Sequence, residues 1–512
     1  MRRILALLTA WMLGLCIALP AKAASERLTV MVYDRGNVSE GYGTVTDNAW
    51  TRYLQQQALT RLEINVQYVG VSRSNDLEQL NLMLAGNNPP DIMFTYDYAF
   101  WLRLCENGLV CDLTDAVQRY GSHLKANQGS VLPYGQYAGR QYGICNQRAS
   151  VSVTSGFIRE DWLDALGIQP ARSEEGYLLL TAEELLDIMR AFREADLNGS
   201  HGGPVFFSYG STYWPVLLML EAFYDQEALT DEDLYSEPFF LFEGAKEGYR
   251  YLNGLFSEGL MNQDFAFLGD SDKSQYIESI VSGQAGVWIN DSWFGFSGDG
   301  TLEALYAQDP NAKVAAFDLL NSRGDPAYKY AYSDYGMICF VPRLSAHAEA
   351  AVKYLDLLSD QSVDFVLRYG FENEHYIMED GLPYPLEKEG AEERIHVADL
   401  ALMYNGCSYL EGDAALSIQM LPENLRPLRR QSESVGKSNS FQVPTLPETV
   451  SVSQLQAESL DALERELRFR TIMCSPEDFD RTWEMCVNAY LEAGGQELME
   501  HKRSVYRELN EQ

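Results

Sequence analysis

Between residues 27 and 96 the spacing of apolar side chains switches repeatedly between the strand and the helix period. Residues 27–33 (RLTVMVY) are dense in β-branched and apolar residues, as strands are. Residues 48–61 carry a helical pattern, 62–69 (LEINVQYV) alternate as a strand, and 75–85 read as a helix closed by Gly86. DIMFTY, after Pro89-Pro90, reads as another strand. Strands that alternate with helices bury their apolar faces by layering helices on a sheet, so the pattern predicts an α/β fold with parallel strands. It returns farther along. Strands are expected at 140–145, 285–290, 313–320 and 335–341, and helices at 181–195, 242–257, 273–282 and 346–359. Thr181 and Glu184 supply a capping box for the first of those helices. Residues 380–450, rich in Pro, Gly, Ser and charge, read as a long irregular excursion, and 453–470 and 476–510 as terminal helices. A chain of 512 residues allows two to four domains at roughly 150 residues each.

The start has the form of an export signal. Arg2 and Arg3 precede a mostly apolar run from Ile4 to Leu19, and Ala21-Lys22-Ala23 places small residues as a signal peptidase requires. The run is short for a permanent membrane span. Cys16 raises lipidation as a second reading, against which Leu15 stands where a small residue is needed. Residues 1–23 are therefore expected to be a signal peptide cleaved near Ala23, with a lipid anchor at Cys16 as the alternative. No later run is long enough to span a membrane.

Net charge is −35, from 39 Lys+Arg against 74 Asp+Glu. Nucleic-acid grooves and electrostatic membrane contacts need basic surface, so neither is expected. The 31 Tyr, 22 Phe and 8 Trp exclude wholesale disorder. Cys105 and Cys111 could pair locally, as could Cys474 and Cys486, although small buried thiols are the plainer reading. No nucleophile elbow, metalloprotease helix or phosphate loop is present. Ser434 and Lys437 match a nucleophile spacing without companion motifs. Asp196-Leu197-Asn198-Gly199-Ser200 resembles the start of a calcium loop, but Phe207 stands where an EF-hand needs Glu, and a helix-ending turn explains the segment. No cofactor and no metal are expected.

Several segments, in order, resemble one family, the extracellular solute-binding proteins (family 1) of carbohydrate ABC importers, and within it the large Firmicute complex-sugar-binding lipoproteins. These segments are NLMLAGNNPPDIMFTYDYAFWLRLCENGLVCDLTD, YGI at 142–144, FIREDWLDALGIQP at 157–170, YRYLNGLFSEGLMNQDFA at 249–266, SGQAGVW at 282–288, and DLLSDQSVDFVLRYGFENEHYIMEDG at 356–381. In the last of them Asn373 replaces the family's usual Gly. The terminal helices from 477 complete the order. The resemblance implies two α/β lobes joined by crossing strands, with a hinge and a ligand cleft between them. Residues 24–144 and 318–345 are expected in lobe 1, residues 145–317 and 346–512 in lobe 2, and crossings near 142–147, 312–320 and 342–348.

The resemblance also implies a protein that captures a carbohydrate and delivers it to permease subunits, as a monomer without turnover. A surface sensor on the same fold, or a glycan-active enzyme, are the alternatives. A sugar presents apolar C–H faces and a rim of hydroxyls, so its site needs flat aromatic rings beside carboxylates and amides. Strand ends with that mixture are the candidates. They are Tyr96, Asp97 and Trp101, then Tyr213 and Trp214, then Asp291 and Trp293, then Tyr332 and Asp334. Asp34-Arg35-Gly36 also follows a strand, and His375 reads as a structural histidine rather than a ligand contact.

Overall fold

The computed structural model describes residues 26–35, 38, 41–148, 154–210, 213–268, 273–296, 300–386, 399–405, 413–419, 421–444 and 454–510. Its first part holds β1 (Glu26–Asp34), α1 (Ala49–Leu62), β2 (Ile64–Ser72), β3 (Met93–Thr95), α2 (Tyr98–Glu106) and β4 (Gly143–Arg148). The middle holds β5 (Ser155–Arg159), β6 (Ala171–Arg172), β7 (Leu178–Thr181), α3 (Trp214–Glu221), β8 (Val287–Asn290), β9 (Val314–Leu320) and β10 (Lys329–Tyr330). Then come β11 (Tyr335–Phe340), α4 (Ala348–Leu358), β12 (Tyr404–Asn405), α5 (Arg426–Lys437), β13 (Ser440–Phe441) and α6 (Gln454–Met473).

Local chemistry sets several boundaries. Asn48 caps α1 by accepting the Trp50 and Thr51 N–H groups, and the Thr51 hydroxyl takes the Asn48 N–H in return. Thr181 and Glu184 form the expected capping box on helix Ala182–Glu194. Asn373, at the place where the resemblance anticipates Gly, adopts φ +63°, a left-handed conformation that Asn tolerates better than most residues.

The strands form two principal mixed sheets, where sequence alternation alone predicted parallel ones. β1 and β2 pair in parallel, and a bridge from Val30 to Ile92 leads toward β3. The first principal sheet has the order β12-β4-β11-β3, antiparallel at β4/β11 and β11/β3 and parallel at β12/β4. The second has the order β8-β5-β9-β7-β6 and is parallel only at β9/β7. Antiparallel pairs arise both from a local hairpin, β6/β7, and from strands far apart in sequence, such as β4/β11 and β5/β9.

Two bodies result. One core joins Leu28–Cys145 to Met337–Tyr404. The other comprises two adjoining clusters built from Phe157 to Ala327 and from Leu425 to Tyr490. The lobe limits expected from sequence therefore need correction. Residues 318–332 belong to the second lobe, because β9 lies inside its sheet with Phe317 and Leu319 buried there. Residues 346–386 and 399–404 belong to the first lobe, because α4 packs Tyr354 against Tyr68 and contributes Val352 and Leu355 to that core, which Leu400, Leu402 and Tyr404 also join. The chain crosses after Arg148, between Tyr332 and Tyr335, and again after Asn405. The excursion read at 380–450 also needs correction, since it contains α5.

The YGI segment has a steric reason for its glycine. A Cβ on Gly143 would meet Ile338 side-chain atoms at 2.6 Å and the Trp101 Nε1 at 3.0 Å. All six described cysteines are free, so neither candidate pair is bridged. Burial raises their thiols, Cys105 to about 12. The 196–201 segment forms the anticipated turn, with Asp196 at φ +49° and Gly199 at +64°. Ser434 and Lys437 lie in α5, where Lys437 pairs with Glu433 one turn away.

A buried polar cluster ties the second crossing segment to its lobe. The Lys329 ammonium, 0% exposed, donates to Asp318 Oδ2 at 2.6 Å, Ser438 Oγ at 2.8 Å and the Ala327 carbonyl at 3.2 Å. All three donors of the cation are thus used. Next to it, buried Glu221 accepts the Tyr330 N–H at 2.7 Å and the Thr154 hydroxyl at 2.9 Å. Burial pushes the Glu221 carboxyl up from 4.5 to about 8, against the pull of these two hydrogen bonds and of Lys329.

A carboxyl that holds its proton in the folded protein and loses it near 4.5 when unfolded favours folding at low pH. Its contribution is complete below 4.5 and is lost as pH rises through about 8. Across that window the slope from this one group approaches about 1.4 kcal/mol per pH unit. Glu221→Gln keeps an acceptor for Tyr330 and a donor for Thr154. Urea unfolding from pH 5 to 9 should show wild-type stability falling with pH more steeply than that of the variant. Parallel curves would contradict the assignment.

Candidate functional site

The three crossings bring strand ends of both lobes toward one cleft. On the first lobe, Tyr96 follows β3 and stacks on Tyr33, with centroids 6.3 Å apart and planes 15° apart. The Arg73 guanidinium lies 4.9 Å from the Tyr33 centroid and 5.4 Å from that of Tyr96. Arg35, just past β1, clamps Asp399 with two hydrogen bonds of 2.6 and 2.8 Å. This pair joins residues 364 apart in sequence and places Arg35 5.8 Å from the Tyr33 ring.

On the second lobe an aromatic wall forms. Trp214, at the start of α3, lies parallel to Tyr330, with planes 8° apart and centroids 6.5 Å apart. Tyr332 meets Trp214 edge-on at 6.2 Å. The Tyr332 hydroxyl donates to Asp291 Oδ2 at 3.2 Å, and Asp291 Oδ1 accepts the Trp293 N–H at 2.8 Å. Burial raises the Asp291 carboxyl, while those two hydrogen bonds and the nearby Arg148 and Arg429 oppose the rise. Trp293 is 43% exposed. The Arg429 guanidinium covers one of its faces at 3.5 Å, which leaves the opposite face open. Arg429 and Ser432 of α5 both donate to the Ser292 carbonyl, which fixes the turn that carries Trp293.

Arg148, the last residue of β4, sits where the chain leaves the first lobe. Its N–H donates to the Asp334 carbonyl at 2.7 Å, and its guanidinium lies 3.3 Å from the Tyr332 centroid. Arg148 thus pairs in the first lobe's sheet while its guanidinium stacks on Tyr332, which follows β10 of the second lobe. Tyr335 continues the aromatic lining toward the first lobe, 4.6 Å from Tyr134 and 5.9 Å from Tyr98. Burial, and then Asp334, raise the Tyr134 phenol.

Of the residues singled out from sequence, Tyr96, Trp214, Asp291, Trp293, Tyr332 and Asp334 converge on this region. Three do not serve as expected. Trp101 is 0% exposed and faces the first core, 5.0 Å from Tyr98, because α2 buries nearly all of its apolar residues. Asp97 caps α2 by accepting the Phe100 N–H at 2.7 Å. Tyr213 donates to Glu464 of α6 at 2.7 Å and lies under Arg468, within the packing of the second lobe. His375 accepts the Phe371 N–H and packs on Trp50, as a structural histidine does. Gly36 lies outside the described residues.

Sequence reasoning missed Arg148, Arg429, Tyr330 and the Arg35–Asp399 pair. A basic residue at a strand end was the available signal for Arg148. Arg429 was hidden in the segment read as irregular. Among the described residues no group of three His, Cys, Asp or Glu side chains is placed to hold a metal ion, and no helix is long and apolar enough to cross a membrane.

Known proteins agree with this architecture. Lipoprotein LipO of Bacillus subtilis (strain 168) is 23% identical over 344 residues, which make up 64% of each chain. The chain thus spans less than two thirds of the length of the curated relatives it matches. A crystal structure of the alginate-binding protein AlgQ2 without calcium ion superposes with a TM-score of 0.68 at 17% identity, covering 94% of this chain and 98% of that one. The Streptococcus pneumoniae ABC-transporter substrate-binding protein FusA, in complex with kestose, gives 0.67 at 14% identity and covers 94% and 99%. At these identities the likeness establishes the two-lobed fold. Residues 42–363, more than half of the chain, match one protein family. With its two lobes, three crossings and intervening cleft, the chain belongs to the bacterial extracellular solute-binding proteins.

Proposed function

We propose that this protein captures a carbohydrate outside the cytoplasmic membrane, in the cleft between its lobes, and delivers it to the permease subunits of an ABC importer. The aromatic arrangement carries the reading. Trp214, Tyr330 and Tyr332 make a wall on one lobe, with Trp293 beside it, while Tyr33 and Tyr96 present a stacked pair on the other. Sugar C–H faces bind such rings, and Asp291 and Asp334 stand beside them to accept hydroxyl protons. The fold is shared with proteins named for alginate and solved with kestose, which supports the same class of ligand here. The export-signal pattern of residues 1–23 fits a protein that works outside the membrane.

The work of such a protein is differential affinity. A ligand touched by both lobes stabilises the closed arrangement by the contacts that the open one lacks. No turnover is needed, and the protein acts as a monomer.

Three outcomes follow from this reading. Trp293→Ala should lower glycan affinity at least tenfold, on the order of 1–3 kcal/mol for the loss of a central stacking face, with the melting curve retained. Titration calorimetry of both proteins decides, and equal affinities would remove Trp293 from the site. Small-angle scattering should give a smaller radius of gyration with the bound glycan than without it. Prolonged incubation should leave the glycan intact. Cleavage that disappears on substitution of Asp291 would replace the binding reading with an enzymatic one.

A further inference from the structure

Four guanidinium groups gather around the cleft of a chain whose net charge is −35. Two are answered. Arg35 is held by Asp399, and Arg73 reaches Asp76 at 2.9 Å. Among the described residues Arg148 and Arg429 make no ion pair. Arg429 is 1% exposed, and its Nε–H has no acceptor. Its cost is offset by the Trp293 ring on which it lies and by the Ser292 carbonyl. Asp291 is close enough to feel both cations, but it already accepts the Trp293 N–H and the Tyr332 hydroxyl. Asp291 thus faces both guanidiniums, while Glu433 also acts on Arg429 and leaves Arg148 the less compensated of the two.

Arg148 is the more telling of the two. Its flat face is covered by Tyr332 at 3.3 Å, which fixes the plane of the guanidinium. Stacking leaves the edge N–H donors available, in the fork that matches a planar anion. Among the described residues no side chain accepts from them. A chain with 74 acidic residues does not lack partners. A half-buried cation left without one among the described residues, against a ring wall suited to a sugar, marks the place of an anion that arrives with the ligand. The negative charge of the remaining surface would repel such a ligand only weakly, since salt screens exposed charges beyond about 8 Å at physiological ionic strength.

We infer that the cleft selects an acidic carbohydrate, whose carboxylate or sulfate group forms the ion pair that Arg148 lacks while a neighbouring ring stacks on the aromatic wall. The inference rests on the carbohydrate reading and narrows it. It is tested on the full chain by calorimetry with an oligogalacturonate, a sulfated chondroitin oligosaccharide and a maltooligosaccharide of matched length. At least one acidic glycan should bind ten times more tightly than the neutral one, and its affinity should fall with added NaCl. The carboxylated and sulfated probes show which anion is preferred. Arg148→Gln should reduce the acidic-to-neutral preference at least tenfold, and Arg148→Lys should restore part of it. Thermal melting checks that both variants fold. If the neutral glycan binds as tightly as the acidic ones, or if Arg148→Gln weakens both alike, the acidic inference falls and the carbohydrate reading stands. If no glycan binds at millimolar concentration while a non-sugar solute does, both fall.

Discussion

The ion pair between Lys329 and Asp318 is the contact on which the cleft depends. Two opposite charges removed from water stabilise little unless every donor and acceptor is used, and here Ser438 and the Ala327 carbonyl complete the cation's shell. The pair pins the short strand β10 to the second lobe. β10 carries Tyr330, and the chain then runs through Tyr332 into the crossing. Glu221, bound to the Tyr330 N–H, is the last residue of α3, whose first residue is Trp214. One buried polar cluster thus sets the positions of three rings of the wall. Loss of either charge would strand the other in a dry interior, and the wall would lose its anchor.

The two lobes contribute different things to the cleft. The first supplies Tyr33 and Tyr96 with two guanidiniums, each balanced by its own carboxylate. The second supplies the larger ring surface and the carboxylate of Asp291. Arg148 belongs to the sheet of the first lobe through its pairing with β12, yet stacks on a ring that follows a strand of the second. A ligand group seated there would touch the crossing itself rather than either wall alone.

Much of the fold was legible in the sequence because strands and helices here obey simple apolar periods. The Thr181 capping box and the β1, β9 and β11 segments are examples. Helix α2 shows where periodicity ends. Phe100, Trp101, Leu102, Leu104 and Cys105 are all buried, so the pattern has no polar face from which to tell which way Trp101 points. Helix α5 fails in the opposite sense. RPLRRQSESVGK reads as polar excursion, yet it buries Leu428, Arg429, Ser432 and Val435 along one stripe, because Arg429 packs through an aromatic ring rather than as an apolar residue. The strand-end rule pointed to Asp291, Trp293 and Tyr332, which lie close in sequence to the strands that aim them and which touch one another in the structure. It could not find partners hundreds of residues away, such as Asp399 for Arg35.

The discontinuity of the first lobe governs how the molecule is assembled. β4 finds its sheet partner β11 only much later, and the Asn146 side chain accepts the N–H of Gly336, 190 residues on. During synthesis the strand Gly143-Ile144-Cys145 is complete long before the strand that covers its edge exists. The intervening second lobe also waits, since its α5 and α6 come after the first lobe has closed. Neither body can finish while the chain is short, and loop-closure entropy makes such distant pairings slow. A chain that cannot fold early stays extended longer, which suits threading through a narrow export channel and leaves an apolar strand edge that needs shielding on the way.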